Sequence, residues 1–405
     1  MKQPATLHYA GVDWATRTHA VCVVDPHGAV RARFEVPNTG KGFSGLCNRL
    51  VKLGVAGVAI ERPDGPLVEA MLEAALRVVV LTPRQVKALR SRYAASGAKS
   101  DPADAYLLAD VLRTDGHRLA SLTPDSDPTK VLRALTRTRK DLQEARMALV
   151  NQLTSQLERC FPGAVGLVAE LHSAVAVAFL RRYPTSHAAA GLTQAKLAAF
   201  LRRLHYPART PVTTLLGRIQ AAPAAGISPA EATGRATCVL ALLEAIQVTA
   251  RQERELEAEI VERLEVHADQ HRFTSLPRAG HGVRAAALLA ELGDVRARFP
   301  DDDCLAALGG AAPVTITSGK RRVVKFRWAC DKKLRTAIVD FADDSRHASP
   351  WAAHVYAQAL ARTGRHPHAV RILARAWIRV IWRIWQHGVA YDPAKHRGAV
   401  MLQAT

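Results

Sequence analysis

Leu7 to Ala15 read LHYAGVDWA, and two similar runs follow: His19 to Gly28, HAVCVVDPHG, and Val30 to Asn38, VRARFEVPN. Each is short and rich in Val, Tyr, Phe and small apolar residues. The pattern predicts three successive strands, with DPHG supplying turn chemistry between the second and third. Working outward, Phe43–Gly54 (FSGLCNRLVKLG) predicts a short helix. Val55–Glu61 (VAGVAIE) predicts an apolar strand ending in a carboxylate. Gly65–Arg77 (GPLVEAMLEAALR) is amphipathic and helical, and Val78–Pro83 (VVVLTP) is another buried strand. Three strands followed by alternating helix and strand give a mixed α/β sheet.

Two carboxylates in this region are out of keeping with their surroundings. Asp13 lies inside the first apolar strand, where a charge is costly unless paired or liganded. Glu61 closes the fourth strand, and strand ends of α/β sheets are frequent site positions. Two more acids stand in Gly97–Asp110, GAKSDPADAYLLAD. Taken alone, Asp101 and Asp104 are an ordinary helix start: Asp101 suits the N-cap, Pro102 the first helical position, and a second acid favours the helix dipole. Asp104 lies one turn before Leu108 and is expected to lean toward the sheet. Four carboxylates from two strands and one helix then converge. Two such charges about 4 Å apart repel by roughly 4 kcal/mol at an effective dielectric near 20, so a cluster calls for protons or a cation. All-oxygen ligation favours Mg²⁺ or Mn²⁺, and a metal pair can clamp both oxygens of a phosphodiester displacement. Asp25 and Asp64 sit in turn-like contexts and are weaker candidates.

The charge of the chain points the same way. Among 405 residues, 56 Lys and Arg against 36 Asp and Glu give a formal charge of +20. That balance suits a polyanionic partner, most often nucleic acid, or else a solvated basic surface. The six cysteines are dispersed without a CxxC pair, which argues against a zinc ribbon or a disulfide framework and fits a reducing cytoplasm. The N-terminus has no apolar signal core, and no stretch is long and apolar enough to span a membrane.

After about Pro128 the texture becomes helical. Thr129–Cys160 places Leu132, Leu135, Leu142, Leu149, Leu153 and Leu157 on a narrow stripe in an otherwise polar helix. Leu242–His267 does the same with Leu256, Ile260 and Leu264. Such stripes suit a coiled coil or dimer seam, or equally a bundle within one chain. Phe273–Asp294 (FTSLPRAGHGVRAAALLAELGD) has a Gly-containing turn before a small-residue helix, as in a helix-hairpin-helix or a plain helical hairpin. Ala312–Arg327 (APVTITSGKRRVVKFR) reads as strand, turn, strand. Trp328–Asp344 and His368–Gln386 read as helices. Trp328, Trp377, Trp382 and Trp385 are expected to pack in the interior, and His366–His368 to lie in a loop.

Together, Asp13 in GVDW, Glu61 in AIERPDG and Asp101 and Asp104 in KSDPADA resemble the ribonuclease-H-like (RuvC-like) domain of DEDD transposases of insertion sequences, now described as bridge-RNA-guided recombinases. The similarity extends over nearly the whole chain. The segment from SLPRAGHG to VVKFR resembles the second conserved domain of that family.

The resemblance implies a RuvC-like domain over residues 1–125, a helical coiled-coil region over 126–272 and a C-terminal serine transposase domain over 273–405. It implies that Asp13, Glu61, Asp101 and Asp104 bind Mg²⁺ or Mn²⁺. It also implies that Ser318, in TSGKRR, attacks a DNA phosphate to form a covalent phosphoserine link. Lys320, Arg321, Arg322, Lys325, Arg327 and Lys99 are the expected nucleic-acid contacts. Donor and target DNA, a structured guide RNA and a homo-oligomer, a dimer of dimers, are the implied partners, in the cytoplasm and at the nucleoid. Without the resemblance Ser318 reads as a turn residue. The chain then reads as a metal-dependent structure-specific nuclease or a non-catalytic basic nucleic-acid-binding protein. Two positions depart from the family pattern: Arg278 stands where relatives commonly have a Gly-type turn, and Trp14 stands where a small residue is often found.

Overall fold

The computed structural model describes residues 7–93, 100–167, 171–206, 210–319 and 321–395. The chain divides into two compact units, Met1–Pro124 and Asp125–Thr405.

The first unit is built on a five-stranded sheet in the order β3-β2-β1-β4-β5. β1 (His8–Asp13), β2 (Thr18–Val24) and β3 (Val30–Pro37) form an antiparallel meander. β4 (Val55–Ile60) and β5 (Val78–Val80) add to it in parallel. The expected mixed sheet is therefore present, compatible with a ribonuclease-H-like domain followed by a helical region. Asp25 closes the β2–β3 turn by accepting from the amides of His27 (2.8 Å) and Ala29 (3.0 Å), with Arg31 as its ion partner.

Strand alternation decides which helix lies on which face. Ala10, Val12, Val21, Val23, Val58 and Ile60 meet α1 (Gly40–Lys52) and α2 (Pro66–Glu73). The opposite residues meet α4 (Asp101–Asp115), with α3 (Pro83–Tyr93) beside it. The closest approach is at Gly11. A Cβ there would lie 2.1 Å from the Ala105 carbonyl oxygen and 2.5 Å from the Ala109 amide nitrogen. Gly11→Ala is therefore expected to lower stability by at least about 1–3 kcal/mol, because the clash is with backbone that cannot rotate away. Denaturant unfolding measures this, and an unchanged midpoint would contradict the tight crossing.

The second unit is helical: α5 (Asp127–Cys160), α6 (Ala174–Arg182), α7 (Gln194–Arg203), α8 (Val212–Ala221), α9 (Pro229–Glu265), α10 (Gln270–Thr274), α11 (Val283–Leu292) and α12 (Asp302–Leu308). The hairpin β6 (Val314–Ser318) and β7 (Arg321–Lys325) follows, then α13 (Lys332–Ser345), α14 (Pro350–Thr363) and α15 (His366–His387). His366 and His368 are thus the first turn of a helix rather than a loop.

The long helices α5 and α9 pack antiparallel on one another. Arg139 meets Glu257 at 2.9 Å, Arg146 meets Glu253 at 2.7 Å, and Arg235 reaches Gln156 at 3.0 Å. Apolar packing is concentrated at the two ends of the pair. At one end Leu153, Leu157, Val239 and Leu243 join α6–α8; at the other Leu132, Ile260 and Leu264 join the core of α11–α15. Leu135, Leu142, Leu149 and Leu256 are only half-buried, and the half-buried Arg146 meets the buried Glu253 in the middle. Trp377 and Trp385 are fully buried and donate to Ser345 Oγ (2.8 Å) and the Gly293 carbonyl (2.7 Å). Among the described residues no helix is long and apolar enough to cross a membrane.

Candidate active site

Three of the four predicted acids come from one end of one sheet face. Val12 pairs with Ile60 across parallel neighbours, so Asp13 and Glu61 are the next positions at the C-terminal ends of β1 and β4. Gly11 pairs with Ala59, and both lie against α4. Alternation puts Asp13 and Glu61 on that same face, two residues further on. The first turn of α4 lies beyond the Gly11 crossing and brings Asp104, which is 3% exposed.

Arg90, on α3, is the residue that sequence reasoning missed. Its Nε and Nη2 donate to Asp104 Oδ1 (2.8 Å) and Oδ2 (2.7 Å), a bidentate pair. These hydrogen bonds raise the Arg90 guanidinium above its ordinary pKa. The charges of Asp104, Glu61 and Asp13 act in the same direction. One cation therefore lies in the field of all three carboxylates, as the repulsion argument required. An arginine on a polar helix carries no sequence signal of this; only the packing of α3 beside α4 reveals it.

Asp101 behaves differently. It is exposed and is the first residue of α4 rather than its cap; Ser100 has the extended N-cap backbone (φ −147°, ψ 142°), and its carbonyl accepts from the Asp104 amide. Extended backbone at Ser100 starts the helix one residue earlier than a capping Asp101 requires. Lys99 lies outside the described residues. Asp64 is exposed and pairs with Arg62 at 3.3 Å.

The all-oxygen donor set suits a hard divalent cation. In the described conformation Arg90 meets Asp104 instead, and among the described residues no three His, Cys, Asp or Glu side chains stand together as a ligand set. Trp14 does not intrude. Its ring packs toward the α1 side of the sheet, 6.2 Å from the ring of His19, with Arg62 4.3 Å over it. The departure at position 14 therefore leaves the face of Asp13 undisturbed.

In the second unit, Ser318 ends β6 at the tip of the β6–β7 hairpin, paired directly with Arg321. Gly319 has φ +54°, the left-handed backbone that tight hairpin turns require. Lys320 lies outside the described residues. Ser318, Arg321, Arg322 and Lys325 are exposed, so the hydroxyl stands in a cationic surround. Arg327 is half-buried, and its Nε donates to the Ala312 carbonyl at 3.0 Å, which ties down the foot of the hairpin. Among the described residues no side chain hydrogen-bonds Ser318, so no Ser-His-Asp arrangement is present there.

The departure at Arg278 also has a structural counterpart. Arg278 adopts φ +63°, and Gly282, four residues on, has φ +86°. The backbone thus takes the glycine-type turn despite the side chain. Arg278 offsets little of the strain, reaching Asp344 only at 3.4 Å while Arg284 binds the same oxygen at 2.8 Å. Arg278→Gly is expected to raise stability by about 0.5–1 kcal/mol, because a left-handed L-residue costs about 1–2 kcal/mol and glycine's extra unfolded freedom returns part of that. A lower melting temperature in the variant would refute this account.

Two family models and several relatives match this chain. Residues 10–162, which contain all four acids, match the DEDD-type transposase family of IS110. Residues 270–357, which contain the Arg278 turn and the hairpin, match the transposase IS116/IS110/IS902 family. The mini-circle putative transposase for IS117 of Streptomyces coelicolor is 30% identical over 98% of both chains. The insertion element IS900 uncharacterized 42 kDa protein of Mycobacterium paratuberculosis is 29% identical over 97% of this chain and 98% of its own. A putative transposase of Sinorhizobium fredii is 34% identical over 56% of this chain and 62% of its own. With these family matches and a relative 30% identical over 98% of both chains, the chain belongs to the IS110 family of DEDD-type transposases of insertion elements.

Proposed function

We propose that this transposase cuts and rejoins DNA through a covalent phosphoserine intermediate formed by Ser318. The observation that carries the reading is the placement of Ser318: an exposed hydroxyl at a hairpin tip, directly across from Arg321. The Oγ gives up its proton to solvent as it attacks a backbone phosphorus, forms the Ser–O–P bond and releases the deoxyribose oxygen, which takes up a proton as the strand leaves. Arg321 and Arg322, with Lys320 beside them, hold the nonbridging oxygens and offset charge in the transition state. Attack by the released hydroxyl of another strand reverses the chemistry and frees Ser318.

Asp13, Glu61, Asp101 and Asp104 would hold Mg²⁺ or Mn²⁺, in keeping with a DEDD family, and such an ion would supply Lewis-acid polarisation of a phosphate oxygen. Arg90 would offset part of the cluster's negative charge before an ion arrives. The three-part division at residues 125 and 272 would separate acid domain, helical region and serine domain. The turn before α11 would offer amides to phosphate, as in a helix-hairpin-helix. Donor and target DNA are the substrates, a structured guide RNA would select them, and the α5–α9 pair would extend as a coiled coil to join protomers as a dimer of dimers. The enzyme would then work in the cytoplasm, on the nucleoid.

The test is a trapped adduct. Purified protein is incubated with DNA carrying the element's ends and its guide RNA in Mg²⁺, then denatured. A metal-dependent species of protein plus DNA is expected, with the phosphate mapping to Ser318. Efficient strand cleavage with no such species would overturn the proposal in favour of simple hydrolysis.

A further inference from the structure

Trp328 breaks the pattern of the other buried tryptophans. It was expected to pack in the interior, yet it is 76% exposed, whereas Trp377 and Trp385 are 0% exposed. It stands three residues beyond β7, at the foot of the hairpin that carries Ser318. Its ring meets Phe326 edge-on, with centroids 4.8 Å apart and planes at 81°. Phe326 in turn has two guanidinium groups over it, Arg335 at 5.2 Å and Arg371 at 4.9 Å.

Among the described residues those two arginines have no anionic partner: neither makes an ion pair, and Arg335 Nη1 is buried without a hydrogen bond. The neighbouring carboxylates are already engaged: Asp340 by Lys140 and Asp343 by Arg346, both at 2.8 Å. Burial and the charge of Arg335 both lower the Arg371 pKa, the signature of two like charges held together. A cleft of about 360 Å³ opens beside Phe326, Arg335 and Arg371. An exposed flat indole, two unpaired cations and an adjoining cleft form a combination that suits one ligand chemistry, an unpaired nucleobase with its phosphates.

We infer that Trp328, supported by Phe326, is a stacking platform for an unpaired base of the nucleic acid handled at Ser318, with Arg335 and Arg371 taking the adjacent phosphates. The inference rests on the reading of the chain as a DNA-processing enzyme. The strand geometry fits: β7 alone runs about 17 Å at roughly 3.3 Å per residue from the Ser318–Arg321 pair, and Trp328 stands three residues beyond it, so the ring lies several nucleotides from the hydroxyl at about 3.4 Å per nucleotide. A base stacked on Trp328 is thus held a few nucleotides from the hydroxyl. The site would keep a separated strand from re-pairing while Ser318 acts.

The test measures binding of the full-length protein to a labelled short single-stranded DNA and to its blunt duplex, by anisotropy in EDTA so that no strand is cut. Trp328→Ala is expected to weaken single-strand binding by roughly five- to 150-fold, with duplex affinity nearly unchanged. Trp328→Phe should retain most of the affinity. Arg335→Gln and Arg371→Gln should each lower the salt slope by up to about 0.7. Because Trp328 is exposed, its loss leaves the fold intact, which the melting temperature checks. Unchanged single-strand binding in Trp328→Ala, or an equal loss on duplex, would sink the inference. So would a variant that binds DNA normally but changes oligomeric state, since the indole would then be a protein contact. The assay needs neither metal nor cleavage, so its failure leaves the adduct proposal standing, and a missing adduct leaves this one standing.

Discussion

Ser318→Ala is expected to eliminate the protein–DNA adduct and to reduce strand exchange by about 10⁴-fold or more, the scale on which loss of a covalent nucleophile ordinarily shows. The argument is local. The hydroxyl is exposed at a strand end and makes no hydrogen bond among the described residues, so the truncation removes chemistry and little else. Folding and DNA affinity should match wild type, because the neighbouring Arg321, Arg322 and Lys325 remain to hold phosphate. Ser318→Cys keeps a nucleophile and is the informative companion, with a thiol-linked species at reduced yield. Strand exchange at wild-type rate in Ser318→Ala would return Ser318 to the status of a turn residue.

Asp13→Asn is expected to lower Mg²⁺-dependent cleavage by about 10³-fold or more while shifting the melting temperature by only a few degrees. The asymmetry follows from the acid cluster. Asp13, Glu61 and Asp104 all act on the Arg90 charge, so removing one negative charge still leaves that cation compensated. A divalent ion, by contrast, draws several kcal/mol of transition-state stabilisation through its anionic ligands. Asp104→Asn should differ: it breaks the bidentate pair on a buried carboxylate and costs roughly 1.5–3 kcal/mol of stability as well as activity. Calorimetric titration with Mn²⁺, alongside cleavage and thermal melts, separates the two variants. Undiminished metal binding and cleavage in Asp13→Asn would show that the acids serve the fold alone.

Much of this architecture is legible in the chain because it depends on local periodicity. The alternation in β1–β5 and the Asp-Pro-His-Gly turn each act within a few residues, and the structure has them where expected. The start of α4 was off by one residue, since Asp101 and Ser100 are both competent caps and only backbone dihedrals choose between them. The stripes of α5 and α9 were visible, but the partner that each stripe meets was not. A stripe specifies that a face is buried, not against what, and the antiparallel pairing with the Arg146–Glu253 bridge is a tertiary outcome.

The site divides along the same line. From the sequence alone came the misplaced carboxylates at Asp13 and Glu61, the acids of the α4 start, the hairpin of Ser318 and the foreign side chain at Arg278. Asp13 breaks a local rule, a charge inside an apolar strand, and can be read without knowing any neighbour; the α4 acids, the Ser318 turn and Arg278 took their meaning from the family resemblance. Only the tertiary structure could add Arg90 as the counter-charge, set Asp13 and Glu61 side by side through the Val12–Ile60 register, and leave Trp328 exposed beside Phe326, whose ring Arg335 and Arg371 overlie. Those facts depend on residues far apart in the chain meeting across a sheet or a helix face. Periodicity carries the face a residue occupies, but the identity of what it meets there is settled only when the elements pack.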